Sequence, residues 1–180
     1  MGNTNTQQSD GGGGSHSEPP VGWDSDAWAA AVAEARELYW YYHGIFMTQF
    51  QIIVDLNAQV IAISYAKSSL YNCKNDLIST DSLLAEIKDN SIKVDYGNNY
   101  HSKIEALTNP PSGSVNGFED SIEMLNDAKD DIKKDLKNAA TIFEDAYNWM
   151  NYYNGNYDLG YILPNKDDTM DMLEKAMEGE

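Results

Sequence analysis

The chain has 180 residues, 42% of them hydrophobic, with 29 acidic residues against 12 basic ones and a formal net charge of −17. That is enough apolar material for one domain with a core, so a wholly disordered chain is excluded. The charge argues against a basic surface for nucleic acid or anionic membrane, and the single cysteine, Cys73, excludes an internal disulfide.

Residues 1 to 22 read as a disordered polar tail. The opening "MGNTNTQQSDGGGGSHSEPP" holds no aliphatic residue after Met1, and ordering its four successive glycines costs backbone entropy that no contact offsets. It also lacks the apolar run of a cleaved signal peptide. Met1, Gly2 and Thr6 match the M-G-x-x-x-[ST] pattern for N-myristoylation, in an acidic flank without the basic second signal that one acyl chain needs.

The first helix is expected over about 25–90. Asp24, Ser25 or Asp26 supplies the N-cap, and the alanines that follow are strong helix formers. Gly44 costs about 1 kcal/mol inside a helix, yet the apolar register continues past it. That register alternates four and three residues: Leu38, Tyr42, Ile45, Gln49, Ile52, Leu56, Gln59, Ile63, Ala66, Leu70, Cys73, Leu77, Thr80, Leu84, Ile87. Only Gln49, Gln59 and Thr80 are exceptions, and so long a single phase argues for coiled-coil packing. Cys73 on that face is expected to be a small buried apolar residue. A break is expected near "ISTDS", where Ser79, Thr80 and Asp81 compete for backbone bonds.

The stretch "FMTQFQIIVDLNAQVIAISYA", residues 46 to 66, is the most apolar in the chain. Gln49, Gln51, Asp55, Asn57 and Gln59 within it argue against a transmembrane span. Phe46, Phe50, Ile53 and Val60 build a second stripe, widened by Val54 and Ile61. With an antiparallel partner on the heptad face, this second stripe stays exposed and needs another neighbour, either further helices of the same chain or a second copy.

An irregular region follows over 91–116. It holds turns at Gly97–Asn99 and at "NPPSGS", a strand-like "SIKVDY" and two helical turns at "NYHSKIEAL". The second long helix is expected over about 117–154, with Asn116 and Glu119 as a capping box and Asn154-Gly155 as a left-handed stop. Its register is Ile122, Leu125, Lys129, Ile132, Leu136, Ala139, Phe143, Ala146, Met150, Tyr153. Asp130 and Lys134 form a favourable i,i+4 pair. A short acidic helix over about 166–178 carries Met170, Leu173 and Met177 on one face. The fold class is all-α: a long antiparallel helical hairpin, or coiled coil, with a short C-terminal helix.

No chemistry-bearing motif is present. The three histidines, His16, His43 and His101, lack His or Cys partners at zinc spacing, and no calcium loop, phosphate loop or nucleophile elbow occurs. No catalytic, metal or cofactor-binding residue is expected. The aromatics gather in "WYYHGIF" and "YNWMNYYNGNY". A hairpin brings Trp40, Tyr41 and Tyr42 near Trp149, Tyr152 and Tyr153, as a lock on its open end or as a contact surface. The expected interface residues are Phe46, Phe50, Ile53, Val60, Ile61, Trp149, Tyr152 and Tyr153.

The polar start "MGNTNTQQSDGGGGS", the apolar helix "GIFMTQFQIIVDLNAQVIAISYA" and the order heptad, irregular middle, heptad give the chain a layout. It resembles filament and translocator proteins of bacterial type III secretion systems, of the EspA and SseB kind. The resemblance implies a secreted, non-enzymatic assembly protein that self-associates, is capped by a secretion chaperone and leaves the cell without a cleaved signal peptide. Residues 45–66 and 122–153 would carry assembly. The chain departs from that layout in that residues 155 to 180 follow the second heptad. The other expectation is a cytoplasmic helical adaptor acylated at Gly2. Neither involves a cofactor, nucleic acid or a transmembrane span.

Overall fold

The computed structural model describes residues 18–87, 100–110 and 117–178. Four helices lie within them: α1 Ser25–Ile87, α2 Ser102–Thr108, α3 Phe118–Asn156 and α4 Asp167–Glu178. The described residues contain no strand, and the fold is an all-α helical bundle. The myristoylation pattern at Met1, Gly2 and Thr6, the capping residue Asn116, the turn at Gly97–Asn99 and the segment "SIKVDY" lie outside the described residues.

α1 starts where the sequence places it. The Asp24 carboxylate accepts the Asp26 N–H at 2.8 Å, satisfying one of the free amides of the first turn. The helix then runs 63 residues without interruption, through Gly44 and through the expected break at Ser79–Asp81. The break is absent because the hydroxyls there bond within the helix. Thr80 Oγ1 donates to the Asp76 carbonyl at 2.8 Å and Ser82 Oγ to the Ile78 carbonyl at 3.0 Å. Used this way, they no longer offer the backbone an alternative to helix.

α3 returns antiparallel to α1, as the contacts down the pair show. Trp28 stacks on Tyr157, Tyr42 on Trp149 and Phe46 on Phe143, and Lys129 reaches Ser64. Lys67 then bonds Asn126 and Lys74 pairs with Glu119, so rising numbers on one helix meet falling numbers on the other. The α3 register read from sequence holds: Ile122, Leu136, Ala139, Phe143, Ala146 and Met150 are buried. Its ends differ. Gly117 is the N-cap, its N–H reaching the Asp120 carboxylate at 3.5 Å, while Glu119 serves Lys74 instead of a capping box. A Cβ on Gly117 would stand 2.5 Å from Pro110 Cγ, so close approach of that ring requires glycine here. At the other end Gly155 stays helical. The chain leaves the helix at Tyr157, and the positive backbone angles fall at Asp158 (φ 47°) and Gly160 (φ 72°).

The α1 face differs from the expected one. Phe46, Ile53 and Val60 are 3%, 0% and 0% exposed and form the core with Tyr39, Leu136, Phe143 and Met150. Phe50 is half-buried against them. The stripe expected to stay exposed is therefore the centre of the seam. Of the heptad face, one half borders the seam (Tyr42, Gln49, Leu56, Ile63, Leu70, Leu77, Leu84, all half-buried). The other half, at Ile52, Gln59, Ala66, Cys73 and Thr80, is exposed. Cys73 is thus a surface thiol, not a buried residue.

After α3 the chain turns back. Asn154 fixes this turn by donating its side-chain N–H to the Tyr161 carbonyl (2.8 Å) and accepting the Tyr161 N–H (2.9 Å). α4 then packs on one flank of the hairpin with Leu173 and Ala176 buried and Met170, Met172 and Met177 against the core. Lys133 ties its end down by donating to the Met177 carbonyl at 2.7 Å. Because the core rests on few large side chains, Phe143→Ala should lower unfolding free energy by about 3–5 kcal/mol. Ile61→Ala, at an exposed site on α1, should cost under about 1 kcal/mol in the same urea titration.

Candidate functional site: the aromatic end and the open flank of the hairpin

The α1–α3 hairpin has two flanks. α4 covers the one bearing Asn57 and Ile61 on α1 and Lys137 and Ala140 on α3. Among the described residues nothing covers the opposite flank, which carries Ile45, Ile52, Ile142 and Trp149. Ile45 is half-buried, while Ile52, Ile142 and Trp149 are 39%, 45% and 45% exposed. Of the sequence-expected interface residues, Trp149 and Tyr152 are on the surface and Tyr153 is half-buried beside them. Ile61 is exposed at the edge of α4, next to Met172 and Lys175. Phe46, Ile53 and Val60 are withdrawn from the surface, as is most of Phe50. What sequence reasoning missed is Ile52 and Ile142 as surface residues. The register contained Ile52 but assigned it to a buried face.

The aromatic end is built as a layered stack. Tyr42 lies parallel to Trp149 (5.7 Å, 17°) and to Tyr153 (6.1 Å, 19°), while Tyr152 meets Trp149 and Tyr153 edge-on. These offset and edge geometries suit the ring quadrupoles and tie the two helix ends together. The expected partners are only partly those seen. Trp40 packs on Tyr161 of the returning segment (5.3 Å), and Tyr41 is exposed. Tyr39 sits under Tyr161 at 4.6 Å. Burial, and then the neighbouring Tyr161 phenol, push the Tyr39 hydroxyl above its ordinary pKa of 10.0.

Toward the turn, the seam changes character. The buried heptad positions Phe46, Ile53 and Val60 give way at the same spacing to Lys67, Lys74 and Asp81. Each has a polar partner: Asn126 for Lys67, Glu119 for Lys74, and His101 Nδ1, 3.0 Å from Asp81. Lys129 joins them from α3, donating to Ser64 Oγ at 3.3 Å. Desolvation lowers its pKa from 10.5, with Lys133 and Lys67 adding repulsion. On the α3 surface Lys134 pairs with Asp131 at 2.8 Å, one residue off the expected Asp130.

Among the described residues, no group of three or more His, Cys, Asp and Glu side chains stands close enough to hold a metal ion. Compared with known proteins, the chain matches no family model, no curated protein and no solved structure.

A half-buried ammonium at a seam position disfavours the folded chain while it is charged. That cost is present at neutral pH and is relieved as pH rises from the lowered folded value toward 10.5. Lys129→Met should therefore raise stability by about 1 kcal/mol at neutral pH. The advantage should shrink as pH rises toward 10.5, as read from urea titrations of both chains.

Proposed function

We propose that this chain is a non-enzymatic assembly protein that acts through self-association of its helical hairpin. The observation that carries this reading is the open apolar flank. Ile52, Ile142 and Trp149 are exposed, with half-buried Ile45, on the side that α4 leaves uncovered. Exposed apolar residues gathered on one side are the usual mark of a protein contact, and a long two-helix surface offers a second helix a ready groove. The acidic surface restricts contact to where apolar burial outweighs like-charge repulsion.

The setting we propose is a bacterial type III secretion apparatus, with the chain as a secreted filament, tip or translocator component and a small chaperone covering the strip before export. The layout supports this: a polar start, an apolar helix, and two long paired helices. The other reading of the same helix is a membrane span, since α1 holds a stretch apolar and long enough to cross a bilayer, little of it buried. Within the chain Phe46, Ile53 and Val60 already turn to α3 and share its core. Gln51 and Asp55, hydrogen-bonded to one another at 2.9 Å, face outward on this stretch. We read α1 as a packing helix.

Light scattering on a sizing column across a concentration series tests this. The mass should rise with concentration, and Ile52→Glu with Ile142→Glu should weaken association at least tenfold, about the effect of losing one interface anchor, at unchanged helicity. A monomer at every concentration would overturn the assembly reading in favour of a cytoplasmic adaptor.

A further inference from the structure

At the aromatic end of the open flank, the groove between α1 and α3 widens into a cavity of about 260 Å³. Its walls are Trp149, Tyr152 and Tyr153 from the end of α3, Tyr157 just after it, and Glu34 and Leu38 from α1. Its floor is Ala31 and Ala35, whose small side chains leave the space that larger residues at this level would fill. The rings stand at mixed angles. Trp149 and Tyr157 each lie nearly parallel to Tyr153 (26° and 28°), while Tyr152 is edge-on to both Trp149 and Tyr153 (80° and 83°). Tyr157 is backed by Trp28 (5.5 Å, 19°), so that wall is held from behind.

Three features give this cavity a preference of charge. Aromatic faces are electronegative and attract cations. Glu34 supplies a negative charge at the rim; burial first, then the phenols of Tyr42, Tyr152 and Tyr157, and last the Glu34 carboxylate hold the Tyr153 hydroxyl above its ordinary pKa. The last turn of α3 carries no basic residue to offset the negative end of its dipole. Arg36, two residues from Glu34, is not among the lining residues. A strongly hydrated primary ammonium would lose more water than one carboxylate and a few phenols replace, whereas a methylated ammonium is weakly hydrated and gains from ring contact. The volume is below that of a drug-sized site and suits a small group.

We propose that this groove binds the quaternary ammonium group of a small free solute, with Trp149, Tyr152, Tyr153 and Tyr157 around the methyl groups and Glu34 balancing the charge. This site does not depend on the assembly reading. The headgroup of a choline lipid presents the same chemistry, and the test separates the two sources.

The test titrates the full chain with choline, read by tryptophan fluorescence and by proton NMR of the indole signals, at protein concentrations below those at which it associates. Its uncharged carbon analogue, 3,3-dimethylbutan-1-ol, serves as control. Saturable binding in the millimolar range is expected, with the analogue at least about tenfold weaker. Glu34→Gln, at an exposed site, should weaken choline binding several-fold, and that loss should disappear at high salt. Trp149→Leu should weaken it by more than about tenfold, while Tyr41→Leu, an exposed aromatic outside the groove, should leave it unchanged. Absence of saturation, equal binding of the neutral analogue, or an unchanged affinity in Glu34→Gln would overturn the proposal. Binding to phosphatidylcholine vesicles without binding of free choline would overturn it in favour of a headgroup site.

Discussion

The pairing of Phe46 on α1 with Phe143 on α3, rings stacked 4.3 Å apart, is the contact on which the rest of the structure depends. Both rings are essentially removed from water, and the seam extends from them through Tyr39 and Met150 in one direction and Ile53, Val60 and Leu136 in the other. A helix of 63 residues is about 95 Å long, and helices gain most of their stability from a packed face and little from propensity alone. Without this seam α4 has no groove for Leu173 and Ala176, and the two aromatic runs have no reason to meet. The aromatic groove, the open flank and the seat of α4 all follow from the register that Phe46 and Phe143 set.

That register also divides the molecule along its length. From Trp28 to Val60 the seam is aromatic and aliphatic, with the returning segment and α4 thickening it to three layers. From Lys67 onward the same positions are charged, with polar partners in Asn126, Glu119 and His101. Partly exposed pairs of this kind contribute roughly 0–1 kcal/mol each, so these positions hold the distal half less firmly than Phe46, Ile53 and Val60 hold the aromatic half. Local opening should begin at the α2 end and leave the Phe46–Phe143 region closed.

The sequence made α3 legible and α1 only half so, for one physical reason. α3 has a single apolar stripe, Ile122 to Tyr153, flanked by charged residues, and one phase satisfies it. α1 between Ile45 and Ile63 is apolar on most of its circumference. Phases containing Ile45 and Ile52, or Phe46 and Ile53, describe it equally well at the same period. What separates them is the partner: the three-layer packing of α4 and the Tyr161 turn claims the Phe46 side, which no single-helix pattern contains. The same cause exposed Cys73, which shares its phase with Ile45 and Ile52. The serine–threonine run at residues 79–82 misled for a different reason, since hydroxyls that can break a helix can also bond the carbonyl one turn back. The aromatic end was legible because two dense runs of Trp and Tyr must meet in any antiparallel hairpin. The cavity there was not, because it depends on two alanines in a helix that propensity alone explains.

The native Cys73 gives the most direct test of the central claim, that one chain closes this seam on itself in the register of Phe46 and Phe143. A second cysteine at exposed Glu123 lies about one turn along α3 from Glu119, the partner of Lys74. Spin labels at the two sites, read by pulsed EPR, should give one distance under about 25 Å, since packed helix axes lie roughly 10 Å apart and the label arms add the remainder. Dilution with excess unlabelled chain should leave that distance unchanged. A distance that vanishes on dilution, or one several helical turns longer, would contradict the account, because the seam would then be closed between chains or in another register.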